Sequence, residues 1–369
     1  MTLDSVVMLA FWTVTLLMVV VGAAAAYTYI ERKVLGRIQQ RLGPTMTGPF
    51  GIMQAIADAV KLLLKEDIRA RGGDAFIYYL APVALFVPSF LMWVTIPFTR
   101  DLVLRNLELG LFYITAVTVL SIVGMVLAGW ASGSKYSVLG SARSAAQLIS
   151  YELPIIFVIA GVGLLAQSFN LVTIVERQTL TPFIVLQPLG FAIFFVAALA
   201  EVGRIPFDIP QAESEVVGGP FVEYTGMRWA IFFLSEYANT FALATMASLI
   251  FLGGWNGPLL PPLVWLGAKI MLVTLVIFWL RATLPRLRVD QLMSFAWKFL
   301  LPLAFLYFVI NAAMLFYWAT PDAEGVWRLG PLGTTVLASL QWAGLLGAVY
   351  FILRRAERFR VQLRERVAQ

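Results

Sequence analysis

Carboxylates in apolar surroundings are the residues through which this chain of 369 amino acids can do chemistry. Glu152 and Glu236 lie inside apolar runs, and Glu201 ends another. Asp208, Glu213, Glu215 and Glu223 follow Glu201 in a polar stretch. From Glu201 to Arg228 the chain carries five acids against Arg204 and Arg228, a charge of −3 in a protein of formal charge +6. A carboxylate at the centre of a bilayer costs ~3 kcal/mol or more, so it must face a protein interior or a wet cavity. Carboxylates so placed are suited to taking up and passing on protons. An internal ion pair is the bland alternative. In sequence it is poorly served, because only Lys269 offers a base at comparable depth. Glu236 in particular has no basic neighbour, and its expected partners are Glu152 and Glu201.

Other chemistry is excluded by composition. The chain has no histidine and no cysteine, so it holds no haem, iron–sulfur cluster or zinc site of the usual kind. No metal-binding set is expected. Any redox cofactor belongs to another subunit. One motif is discarded: Gly161-Val-Gly163-Leu-Leu-Ala166 fits a dinucleotide fingerprint, but no strand precedes it and no acidic ribose partner follows.

The elements that position these acids are membrane spans. The chain is 60% hydrophobic and 13% charged, and apolar runs long enough to cross ~30 Å of hydrocarbon recur along it. The pattern predicts an all-α polytopic bundle with nine spans. Their bounds are near 6–30, 76–97, 108–131, 146–166, 183–201, 230–252, 263–281, 297–318 and 334–354. Segments 31–75, 132–145, 202–229, 282–296 and 354–369 hold 8, 2, 2, 2 and 6 basic residues; the opposite side has only Arg100, Arg105, Arg177 and Arg328. The positive-inside rule then puts the N-terminus outside and the C-terminus in the cytoplasm. The spacing also predicts an interfacial helix over about 51–66. Ile52, Met53, Ile56, Val60, Leu63 and Leu64 share one face, and Gln54, Asp58, Lys61 and Lys65 the other. Such a helix is too short to span and lies in the plane of the membrane surface. Its charged rim suits the passage of an amphipathic, lipid-soluble molecule.

Two long motifs carry a resemblance. E-R-K-x-L-G-x-x-Q-x-R-x-G-P (31–44) runs on into G-P-x-G-x-x-Q-x-x-x-D-x-x-K-L-x-x-K-E (48–66). The second is E-x-x-R-x-P-F-D-x-x-x-x-E-S-E (201–215), followed by Glu223-Tyr224 and SEYAN at 235–239. Together they resemble the subunit at the heel of respiratory complex I, the proton-pumping NADH:quinone oxidoreductase. The likeness extends over essentially the whole chain. Thr45, Gln211 and Gly218-Gly219-Pro220 depart from the family's usual pattern.

The resemblance implies a quinone chamber with Glu31, Arg32, Lys33, Arg41, Asp58 and Lys61 along its rim. Arg204, Asp208, Glu213 and Glu215 would line the inner part. It further implies an acidic relay through Glu223, Glu201, Glu152 and Glu236, with Asp208, Glu213, Glu215 and Lys269 attached. Quinone would be the substrate, while FMN and iron–sulfur clusters would sit on partner subunits. Those partners would be peripheral-arm quinone-site and iron–sulfur subunits, small membrane subunits and antiporter-like subunits. The setting would be a bacterial inner membrane, with no nucleic acid involved. Two alternatives stay open at this stage: a membrane subunit of a related energy-converting hydrogenase, or a stand-alone proton or cation transporter.

Overall fold

A computed structural model describes residues 3–69, 72–179, 181–209, 213–321 and 327–368. The side chains of 3–6, 9, 213–214, 356 and 358–368 lie outside the described set, as does Gln211. The described chain is a helical bundle: α1 (Leu3–Ile38), α2 (Gln54–Leu64), α3 (Ala75–Leu91), α4 (Gly110–Ala131) and α5 (Lys135–Ala166) open it. Then come α6 (Leu171–Glu176), α7 (Phe183–Leu186), α8 (Pro188–Glu201), α9 (Glu213–Val216), α10 (Gly226–Phe251) and α11 (Pro262–Thr283). The last third holds α12 (Val289–Phe295), a π-helical turn at Ala296–Leu300, α13 (Leu301–Trp318) and α14 (Pro331–Ala368). The one sheet among the described residues is a short antiparallel hairpin of β1 (Ala319–Pro321) and β2 (Trp327–Leu329), with Thr320 opposite Arg328.

Seven helical segments among the described residues are long and apolar enough to cross a bilayer: 10–38, 75–94, 110–131, 135–166, 262–283, 289–318 and 331–355. The expected spans at 183–201 and 230–252 are not among them, for physical reasons. The chain breaks at Gln187, because Pro188 has no N–H to continue a helix; α8 is then 14 residues long. Helix α10 has 26 residues, but Glu236, Asn239, Thr240, Thr245 and Ser248 dilute its apolarity. From Thr240 to Phe251 every residue is buried, so protein rather than lipid surrounds it. Helix α5 begins well before residue 146, which puts Glu152 near mid-helix instead of two turns from its start.

Helix α5 is the hub, packing on α4, α8 and α13, while α10 packs on α1, α3 and α11. Close approach is bought with missing side chains. A β-carbon at Gly161 or Gly190 would come within 2.5 or 2.6 Å of the Tyr307 ring, so α5, α8 and α13 meet around that ring. The discarded fingerprint is thus a packing surface. Gly129 does the same for α4 on α5, but Gly133 lies past the helix end at φ +64°, in a turn.

Candidate functional site

The charged residues near one set of span ends gather into two clusters joined by the turn after α8. Gly203 (φ +70°) supplies the left-handed conformation that turns the chain back after Glu201. Arg204, only 2% exposed, is thereby aimed into the bundle. Its Nη1 lies 3.3 Å from Glu31 on α1, and its Nε lies 3.3 Å from Glu236 on α10. The guanidinium also sits over the Tyr237 ring, 4.3 Å from its centroid. Arg281, at the end of α11, donates to the other Glu31 oxygen. Glu236 is therefore ion-paired, contrary to the expectation that it shares its site with Glu152 and Glu201. The bases come from a loop and from a helix 250 residues from Glu31 in sequence, which local sequence does not reveal.

The second cluster holds no base among its described contacts. Thr118 on α4 donates to Glu152 at 3.4 Å, and Glu201 is close enough to interact with both Glu152 and Thr118. Glu201 lines a cavity of about 80 Å³ together with Ser89, Thr115, Thr118, Ser121 and Asn239. It also lines a smaller one, of about 40 Å³, with Ser144, Gln147 and Asp208. Two carboxylates bordered by hydroxyls, one of them on the wall of small cavities with several polar side chains, can exchange protons with bound water.

Asp208 stands between the clusters, in the loop outside the spans. Its Oδ2 pairs with Arg286 at 3.3 Å. Burial pushes its carboxyl up, Arg286 pulls it down and Glu236 raises it again, leaving it at about 6.

A third feature lies toward the end of α1. Helix α2 turns its polar face inward and leaves Ile56, Val60, Leu63 and Leu64 exposed, as a helix resting on lipid would. Arg32 on α1 grips Asp58 on α2 at 2.6 Å, with Lys61 at 3.5 Å and Gln54 at 3.1 Å from the same carboxylate. Burial pushes the Asp58 carboxyl up, but these partners, Arg32 above all, outweigh that and hold it below the usual range. Between α1, α2 and α10 lies a cavity of about 320 Å³. Arg32, Asp58 and Lys61 stand on its wall, the rest is mostly apolar, and Tyr237 lies on it too.

Not every expected residue joins these sites. Lys33 lies over the Tyr29 ring and Arg41 bonds Gln39, so neither lines the cavity. Glu215 is exposed and pairs with Arg143 at 2.5 Å. Glu213 opens α9, its side chain outside the described residues. The Glu223 backbone carbonyl accepts from the Tyr78 hydroxyl at 2.8 Å, in a clasp where Tyr224 stacks on Tyr78 and Arg228 pairs with Asp67. Lys269 donates to the Gly254 and Asn256 carbonyls, capping the chain beyond α10 instead of meeting an acid. Conversely, Arg281, Arg286 and Thr118 belong to the sites although nothing in their local sequence marks them for it, and Tyr237 does so with only its place in the SEYAN motif as a sign. The basic loop at 282–296 is the one hint, and it contains Arg286 but not Arg281.

Comparison with known proteins supplies the context. The profile of the family described as NADH dehydrogenase matches residues 11–312. The H subunit of NADH-quinone oxidoreductase from Dehalococcoides mccartyi strain CBDB1 is 45% identical over 335 residues, 91% of this chain and 92% of its own length. The H subunit numbered 2 of the same enzyme from Syntrophobacter fumaroxidans is 47% identical over 313 residues, covering 82% and 95%. The H subunit from Geobacillus kaustophilus is 48% identical over 305 residues, covering 81% and 92%.

Proposed function

The chain belongs to the NADH dehydrogenase family, and from that premise we propose that it joins the electron-transferring and proton-moving parts of a multisubunit NADH:quinone oxidoreductase. As its relatives' names say of them, it is a subunit of an oxidoreductase that acts on quinone, and its seven long apolar helices make it a multi-pass membrane protein. It builds much of the quinone chamber and carries an acidic relay out of it. Peripheral-arm subunits bear the FMN and iron–sulfur clusters and dock on the cytoplasmic loops, while small and antiporter-like membrane subunits adjoin the bundle.

The observation that carries this reading is the cavity between α1, α2 and α10. It is open beside the lipid-facing helix α2, apolar along its length, and charged at Arg32, Asp58 and Lys61. Tyr237, on its wall, touches Arg204, so an amphipathic guest meets the Arg204–Glu31–Glu236 cluster at one end of its path. A stand-alone transporter would account for the buried acids but gives no reason for such a passage.

The mechanism is electrostatic. Reducing the quinone headgroup creates negative charge or a proton demand near Arg204 and Asp208. Ion-paired carboxylates and a nearby arginine share one field, so a charge there shifts proton occupancy of the whole set. Asp208, at about 6, is poised to change state near neutral pH. From it the Glu201–Glu152 pair continues the route into the membrane.

A photoreactive short-chain quinone applied to the intact complex tests the chamber. Label on α2 or on Met227–Tyr237, displaced by excess quinone, is the expected result. Displaceable label found only on other subunits would contradict it.

A further inference from the structure

The start of one span and the end of another frame a cleft at the membrane surface. Spans 289–318 and 331–355 are joined by the β1–β2 hairpin, so they run antiparallel and bring Asp290 and Arg355 to the same side. Between them opens a cavity of about 630 Å³, walled by Asp290, Ser294, Phe295, Phe299, Phe351 and Arg355. Small-molecule sites have this size, ~300–1,000 Å³. Phe299 stacks on Phe295 at 5.5 Å and on Phe351 at 5.8 Å, a row of rings that props α14 away from α12. The α14 wall lies beyond residues 11–312, the stretch that the family profile matches.

The surroundings say where an occupant comes from. Helix α14 packs on α7, α8 and α13, but from Trp342 to Arg355 it has no buried residue. Leu346, Tyr350, Phe351 and Leu353 are exposed and apolar, so this end of the helix stands in lipid and the cleft opens into the bilayer. The charges select the head of the lipid. Asp290 and Arg355 are both exposed, and neither has an ion-pair partner among the described residues. The next base, Arg354, is turned over the Tyr350 ring and does not line the cleft. The wall therefore offers one cation and one anion that do not satisfy each other. Arginine binds phosphate through parallel N–H donors, and a carboxylate accepts hydrogen bonds from an ammonium. Phosphoethanolamine carries both groups. Phosphoglycerol would satisfy Arg355 but set its negative charge beside Asp290, and phosphocholine has no N–H to donate. A free phosphate would leave the row of rings uncovered.

We propose that this cleft is a site for phosphatidylethanolamine, with the phosphate on Arg355, the ammonium on Asp290 and an acyl chain along Phe295, Phe299 and Phe351. The lipid fills the gap between α12 and α14 and fastens α14 at the end where protein does not bury it.

The probe is phosphatidylethanolamine with a photoreactive acyl chain, added in trace to phosphatidylcholine nanodiscs that hold the intact complex. Label is expected on the peptides containing Phe295–Phe299 or Phe351–Ile352. Unlabelled phosphatidylethanolamine should displace it at about fivefold lower concentration than phosphatidylglycerol or phosphatidylcholine, the worth of one charge at a membrane surface. This competition uses the parent protein alone and decides the lipid class. Asp290→Asn should then abolish the preference for ethanolamine over choline, and Arg355→Gln should weaken displacement by all three lipids. Equal displacement by the three in the parent would mean that bulk lipid fills the cleft, and it overturns the proposal. So does displacement best achieved by phosphatidylglycerol, which would mark an anionic-lipid site. Absence of label from both peptides would show another chain covering the cleft and is equally fatal. A preference unchanged in Asp290→Asn would remove the carboxylate from the site and overturn the assignment of the head.

Discussion

Arg204 is the residue on which the inner site depends. It is a buried cation between Glu31 and Glu236, and removing one member of a buried ion pair costs about 3–5 kcal/mol because the partner charge stays behind. Arg204→Met is therefore expected to lower the thermal midpoint of the complex and its yield, and Glu236→Gln in the same chain to recover part of both. Arg204→Lys should restore only some stability, since an ammonium cannot reproduce the planar contact with Tyr237. Asp208 makes a pH-dependent prediction. Its carboxyl stands at about 6 in the folded chain, against an unfolded value of about 3.9. The folded state binds this proton more tightly, so the stabilisation is fully present below about pH 4 and is lost as pH rises through 6. Above that, the buried charge is a cost on the order of 3 kcal/mol. Asp208→Asn should accordingly raise the melting temperature at pH 8 and leave it nearly unchanged at pH 4, as differential scanning of the purified complex would reveal. An equal effect at both pH values would show that Asp208 is not held neutral by the fold.

Helix α2 acts as one wall of a passage, held to α1 by the Arg32–Asp58 contact. Asp58→Ala frees that wall, and Lys61→Glu reverses the charge on its rim. Both are expected to raise the KM for quinone several-fold, the scale of a lost partly exposed ion pair. NADH oxidation by ferricyanide, which bypasses the chamber, should persist; loss of both activities together would indicate failed assembly. This helix was legible in sequence, since its two faces follow from period 3.6. Its orientation was legible only in part, because the choice between lipid and other spans depends on what packs against Asp58. Elements defined by tertiary contact were less legible. Expected spans at 183–201 and 230–252 rest on apolar content, yet the Gln187–Pro188 break and the polar stripe of α10 are tolerated because protein surrounds them. Gly190 belongs to the same class. Its β-carbon would strike Tyr307, so Gly190→Val should cost about 1–3 kcal/mol through overpacking, measurable as a lower melting temperature.

At the scale of the whole molecule, the acids of the sequence divide into an arginine-balanced group near Tyr237 and an unbalanced pair, Glu152 and Glu201. Which acid meets which base lies in contacts between α1, α10, α11 and the turn at Gly203. Residue spacing reported the presence of buried acids but not their pairing. The basic loops predict the orientation: a reporter fused after Gln369 should be cytoplasmic and one before Met1 exported, and both on one side would contradict it. The central claim is that carboxylates of this chain carry protons away from the quinone chamber. Glu201→Gln tests it most directly, because glutamine keeps shape and hydrogen bonding but cannot titrate, and Glu201 borders both small cavities. Proton uptake per quinone reduced would be measured with the intact complex in sealed proteoliposomes. The account predicts that translocation collapses while ferricyanide reduction by NADH is retained. A variant that pumps as many protons per quinol as the parent, at the same rate, would contradict it.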